Sequence, residues 1–318
     1  MGDKVQEGAM FVAIHDADAA HLHAKSKFPN YALMKISQYH KLRGDTVEWF
    51  IPLNAHLYDK VYSSKVFDFT EEDPYLPPNT IKGGTGYGIY DELPQEIDEM
   101  FPDYSIYPNC DYAIGFITRG CPNKCSNCYV PQKEGDIRPY RTWQQIVRPD
   151  TNKLVLMDNN ILAHEHGISQ LEELAKTDIR IDINQATSVF LVNDRVAELF
   201  SRLKWIKYIR FAVDRKPQIE GFYRAAELLE KYGVPGSKLF VYVLLTKDID
   251  DDLERIYALR KVKGVSIYGM PYVDARNGEV PSRWQKIMAN NYIYSGQWRK
   301  IDWPEWVETH QGYFERGS

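Results

Sequence analysis

Cysteine is scarce in this chain, four in 318 residues. That is too few, and too unevenly placed, for a disulfide framework; in a reducing compartment a clustered set suggests a metal instead. No apolar run approaches the roughly 18 residues that read as a membrane span. The start, Met1 to Met10, is charged and lacks the apolar core of a signal peptide. The expectation is therefore a cytoplasmic protein with no membrane partner. Long Lys/Arg runs are missing and the net charge is −5, so charge does not support a nucleic-acid partner. There is no repeat of fixed period and no low-complexity segment. What remains, 44% apolar and 26% charged, is ordinary globular composition, long enough for one large domain or two.

Three of the cysteines, Cys121, Cys125 and Cys128, stand in the run Arg119-Gly-Cys-Pro-Asn-Lys-Cys-Ser-Asn-Cys-Tyr129, a C-x3-C-x2-C spacing. The run follows an apolar segment, Tyr112 to Thr118, that reads as a strand. Three thiols thus share one loop at a strand end. Thiolates are soft ligands that select zinc, copper(I) or iron–sulfur clusters. Three readings are open. A structural zinc site would need Cys110 as fourth ligand, and a lone upstream thiol fits the paired knuckles of such sites poorly. A ferredoxin-like carrier needs four thiolates per cubane and again has only Cys110. The third is a [4Fe–4S] cluster held by three cysteines with one iron open, on the face of a barrel where βα loops build active sites.

The chain in order supplies the frame for that third reading. Met10 to Ile14 reads as a strand, Tyr31 to Arg43 as a helix stopped by Gly44, and Thr46 to Ile51 and Lys60 to Phe67 as further strands. Strand, helix, strand at this spacing is a βαβ unit with a parallel sheet. The glycines of Lys82-Gly-Gly-Thr-Gly-Tyr-Gly88 do not match a P-loop or G-x-G-x-x-G, and read as a tight turn packed against the next domain. Pro94 to Met100 reads as a short helix. From Tyr112 strands alternate with helices. The strands end at Thr118, Met157, Ile183, Val213, Leu245 and Met270. Thr142-x-x-Gln145 is a capping-box signal for the first intervening helix. The other helices cover Ile168 to Lys176, Asp194 to Leu203, Ile219 to Tyr232 and Asp252 to Lys263. In several strands one face is apolar and the other polar: Ile179, Ile181 and Ile183 oppose Arg180, Asp182 and Asn184, and Ile209, Phe211 and Val213 oppose Arg210 and Asp214. A parallel sheet covered on both faces reads as continuous apolar strands. A polar second face suits a partial barrel with a wet lumen. The expectation is an α/β protein: a partial (β/α)6 TIM-like barrel behind an N-terminal βαβ Rossmann-like domain. The tail from Ala275 carries four of the seven tryptophans and no cysteine. Packing is the reading preferred for it over a cap on the barrel or a partner surface.

C-x3-C-x2-C directly after the first strand of a six-unit βα barrel resembles the radical S-adenosylmethionine (SAM) enzymes, over about Cys110 to Asp274. The resemblance implies that Cys121, Cys125 and Cys128 ligate a [4Fe–4S] cluster whose open iron is chelated by SAM. An electron, from a reductant such as flavodoxin or ferredoxin, then cleaves SAM to a 5′-deoxyadenosyl radical that abstracts hydrogen from a substrate, here unidentified. The residue before the third cysteine is usually aromatic in that family, its backbone meeting adenine; here it is Asn127. The family's Gly-Glu motif after the second strand is absent, and Asp158, Asn159 and Asn160 stand in its place beside the SAM amino group. By position, Asn184 and Gln185 meet the ribose or carboxylate, Arg210 the carboxylate, Asp214 the ribose, and Met270 flanks adenine.

The first domain resembles, more weakly, the cobalamin-binding-like domain that precedes the barrel in one radical SAM group. Its D-x-H-x-x-G cobalt-ligating motif is missing, so cobalamin is not expected. The division implied is 1–109 for this domain, 110–274 for the barrel and 275–318 for the extension. Phe28-Pro-Asn-Tyr-Ala-Leu-Met34, Tyr62-Ser-Ser-Lys-Val-Phe67 and Gly83-Gly-Thr-Gly-Tyr87 resemble a bacterial and phage set of radical SAM proteins, which supplies no substrate. A second cysteine triplet, as in methylthiotransferases, is absent. The alternative is a non-enzymatic iron–sulfur binding or sensing protein. Cys110 is read as a buried structural thiol rather than a hydrogen-atom donor.

Overall fold

A computed structural model describes residues 8–21, 28–125, 128–273 and 280–315. It divides into one unit of Met1–Asp111 with Cys128–Gly135, and a second of Tyr112–Asn127 with Asp136–Ser318. The first boundary thus falls within two residues of the expected one. The tail from 275 is not separate but belongs to the second unit.

In the first unit β1 (Phe11–Asp16), β2 (Thr46–Trp49), β3 (Lys60–Ser64) and β4 (Ile81–Gly83) make a parallel sheet in the order β2-β1-β3-β4. β1 lies inside because Val12, Ala13 and Ile14 are fully buried, the continuous apolar run that an inner parallel strand requires. The helix Tyr31–Leu42 links β1 to β2. Asn30 caps it by accepting from the Leu33 N–H at 3.2 Å, and Leu33 and Ile36 turn onto Ile14 and Ile97 in the core. The βαβ reading holds, with β1 reaching two residues further than expected and β3 ending three residues sooner. The glycine turn packs on its own unit rather than on the next one. Gly84 has φ +104°, and a Cβ there would sit 2.4 Å from the Lys65 carbonyl oxygen; one on Gly86 would sit 2.5 Å from that of Phe67. Backbone against backbone leaves room only for glycine.

The second unit begins with β5 (Ala113–Gly115), β6 (Thr118–Arg119) and β7 (Arg138–Pro139). β8 (Lys153–Leu156), β9 (Arg180–Ile183) and β10 (Lys204–Trp205) follow, then β11 (Ile209–Ala212), β12 (Leu239–Leu245) and β13 (Ser266–Pro271). One parallel sheet runs β10-β9-β8-β5 and another β11-β12-β13; a parallel bridge between Thr187 and Phe211 joins the segment after β9 to β11. β6 and β7 pair antiparallel at the two ends of the cysteine run. Helices Glu165–Leu174, Asp194–Arg202, Pro217–Lys231 and Ile249–Leu259 connect the later strands. Asn193 and Asp248 cap two of them, accepting from Val196 and Asp251 at 3.0 Å. The helix expected at Thr142 is only a 3₁₀ turn, Trp143–Gln145, although its capping box forms. Pro149 explains the difference: it restrains Arg148 to extended backbone and stops the turn from propagating.

The two strand faces separate as the alternation implies. Leu239, Val241, Val243 and Leu245 of β12 are buried in the core that the helices cover, while Phe240, Tyr242 and Leu244 are half-exposed. Trp298, Trp303 and Trp306 complete that core. They are held from the Ile249–Leu259 side by Arg260, which donates to the carbonyls of Trp298 and Ile301 and to the Tyr292 hydroxyl, and pairs with Asp302. Gly269 of β13 faces Ile293 so closely that a Cβ would lie 2.7 Å from its Cδ1. The tail therefore packs on the apolar side of β13, the side Val265 and Ile267 also occupy, and its role is the packing one. No helix among the described residues is long and apolar enough to cross a membrane.

Candidate metal centre

The cysteine run is anchored before it begins. Asp158, just past β8, is fully buried. Its carboxylate accepts from the Ile117 N–H at 3.1 Å, the Thr118 N–H, and the Thr118 hydroxyl at 2.7 Å. Burial outweighs these three donors and pushes the acid up to about 6. The side chain placed beside a SAM amino group by analogy is thus spent on the backbone that leads into the cysteines. Gly120, at φ +81°, then turns the chain out of β6. Arg119 lies over the rings of Phe116 and Tyr140, 4.3 and 5.5 Å from their centroids, and sets a fixed cation two residues from Cys121.

Asn160 follows on the same side, 4% exposed. Its Nδ2 donates to Cys121 Sγ at 3.6 Å, and the Asn123 N–H donates to the same sulfur at 3.5 Å. Asn160 Oδ1 is buried with no partner among the described residues. Cys125 is exposed. Cys128 accepts from the Val130 N–H at 3.4 Å and is grouped with the first unit, where the next residue, Tyr129, stacks on Tyr90 and donates to Asp68 at 3.1 Å. Asn127 lies outside the described residues. Among the described residues no three His, Cys, Asp or Glu side chains are gathered as a metal site.

Of the other expected residues, Asn159 and Asn184 are half-buried and Gln185 is exposed. Arg210, on the half-exposed face of β11, is paired with Asp182 on β9. Tyr242, on the same face of β12, donates to the Asn184 carbonyl at 3.4 Å. Asp214 accepts from the Leu244 N–H at 2.9 Å, and burial raises its carboxyl above the ordinary range. Met270 is half-buried and pairs in register with Leu244. The structure therefore brings Asn160 to Cys121, and Asp158 to the approach of the cysteine run. It joins Arg210, Asp182 and Tyr242 in a second polar group on the inner strand face.

Asp182 and Tyr242 were not among the expected site residues, although the polar half of the strand alternation contained both. A third network closes the ends of β11 and β12. Arg255, fully buried, donates to the carbonyls of Val213 and Leu244 and pairs with Asp251 and Asp252. In the first unit His15 is held by Ser63 on Nδ1 at 2.9 Å and faces Asp73 across Nε2 at 3.4 Å, and burial lowers its basicity. His40 is likewise held on both nitrogens, by Asp45 and Tyr62.

The donor set fits an iron–sulfur cluster in three respects. The thiols are soft, Cys121 carries two N–H groups aimed at its sulfur, and a buried acceptor beside it lacks a partner. Compared with protein-family models and with curated proteins, the chain matches none.

Proposed function

We propose that the chain is a radical SAM enzyme, with a [4Fe–4S] cluster on Cys121, Cys125 and Cys128. The observation that carries the reading is a C-x3-C-x2-C run entered from β5, first in a chain-ordered series of parallel strands, with N–H donors on the Cys121 sulfur. The series β5, β8, β9, β11, β12, β13, bridged between its halves, is read as a partial barrel. When bound, such a cluster supplies one electron to the sulfonium of SAM, and the adenosyl fragment released takes a hydrogen atom from the substrate. The residues of this chain have separable tasks. Asp158 holds Ile117 and Thr118 so that the loop leaves β6 in one direction. Asn160 Oδ1 is the acceptor offered to the SAM amino group. Asn184, Gln185, Asp214 and Met270 border the space for the nucleoside, and Arg210 supplies positive charge there while restrained by Asp182.

The test is anaerobic reconstitution with iron and sulfide, followed by SAM and a reductant, with 5′-deoxyadenosine as the readout. Cys125→Ala should lose both cluster absorbance and product. A full cluster that binds SAM yet yields no 5′-deoxyadenosine would refute the enzymatic reading in favour of an iron–sulfur sensor. Zinc in anaerobically purified protein would refute both.

A further inference from the structure

We infer that Asn160 tunes the reducing power of the cluster by donating from Nδ2 to the sulfur of Cys121. This inference rests on the cluster reading above. It starts from an asymmetry among the thiols. Cys121 receives two N–H groups, from Asn123 at 3.5 Å and from Asn160 at 3.6 Å, and Cys128 receives one, from Val130 at 3.4 Å. Cys125 is exposed. Two of the three donors are backbone groups that no substitution removes. Asn160 is the side-chain donor, and so the one whose identity the sequence can vary.

The amide has one workable orientation. Turned over, it would aim carbonyl lone pairs at a thiolate, placing two electron-rich atoms against each other in a buried site. With Nδ2 toward sulfur, Oδ1 stays buried without a partner among the described residues. A buried acceptor left unpaired costs about 1–3 kcal/mol. A side chain kept at that cost, 4% exposed, is held there by what its other end does.

N–H groups directed at ligand sulfurs stabilise the more negative, reduced state of an iron–sulfur cluster and raise its potential. Asn160 acts through Cys121 and is therefore a positioning residue. It eases electron entry and keeps the first ligand of the run in place.

The experiment uses the full chain, reconstituted anaerobically without SAM, as wild type and as Asn160→Leu, similar in size with neither donor nor acceptor. Iron and sulfide content are measured first, then the midpoint potential by spectroelectrochemical titration. At equal cluster content the variant should be harder to reduce, its reduced-to-oxidised ratio at fixed potential falling about tenfold, or about 59 mV for a one-electron couple. Equal potentials at equal content would overturn the inference. If circular dichroism shows that leucine disturbs the fold, Asn160→Ala carries the same comparison. Should wild type take up no cluster, the functional reading fails on its own. The bond is then read in cobalt(II)-loaded protein: losing the donor should move the sulfur-to-metal band to lower energy, and an unmoved band would overturn the inference.

Discussion

Asp158→Asn probes how the cysteine loop is held, and its effect depends on pH in a defined direction. The wild-type carboxyl is fully buried and titrates at about 6, against 3.8 in the unfolded chain. The folded state therefore holds its proton more tightly, which corresponds to about 3 kcal/mol between the two protonation states. A raised acid contributes stability that is fully present below the unfolded pKa and lost as pH rises through the folded one. Over pH 4 to 7 wild type should lose about 2 kcal/mol through this group alone. Asparagine cannot titrate, so the variant lacks that component. Its amide nitrogen also faces the donors of Ile117 and Thr118, which lowers its stability at every pH. The gap between the two proteins should be widest near pH 4 and narrow by about 2 kcal/mol at pH 7. Urea unfolding followed by tryptophan fluorescence, at matched ionic strength, measures the gap. A gap that is constant, or that widens as pH rises, would show that the donors outweigh burial and that the carboxyl is ionised throughout.

Three further substitutions test the packing. Arg210→Met should cost about 2 kcal/mol, below the 3–5 typical of a fully buried pair because both partners keep some exposure, and adding Asp182→Asn should recover much of it; additive losses would mean the pair is not coupled. Trp306→Ala, at a side chain 1% exposed, should cost about 3–5 kcal/mol in urea unfolding of the second unit, whereas a loss under about 1 would mean that the tail is peripheral. Gly84→Ala should destabilise the first unit by at least about 1–3 kcal/mol from its φ of +104° alone, with the close Lys65 carbonyl adding to it, and an unchanged unfolding midpoint would contradict that crowding.

Much of the frame was legible locally. The helix Tyr31–Leu42 announced itself by Asn30 before it and Gly44 after it, and the burial of β12 follows its apolar and aromatic alternation residue by residue. Thr142 misled because a capping box specifies a start and not a length; Pro149 set the length. The glycine run was read correctly as a turn but given the wrong neighbour, since no local signal says which carbonyl a glycine lies against.

By itself the sequence determined the kind of chemistry on offer: three soft thiols on one loop, parallel strands with one apolar and one polar face, and too little charge or apolar length for the other classes considered. These are properties of spacing and period, which a chain carries whatever its long-range contacts. Only tertiary structure decided which polar group meets which. Asp158 reaches back 40 residues to Thr118, Asn160 reaches 39 to Cys121, and Arg210 crosses from β11 to Asp182 on β9. A carboxylate or an amide has no preferred partner in sequence. Its hydrogen bonds are settled when burial removes water and leaves the nearest donor or acceptor to replace it.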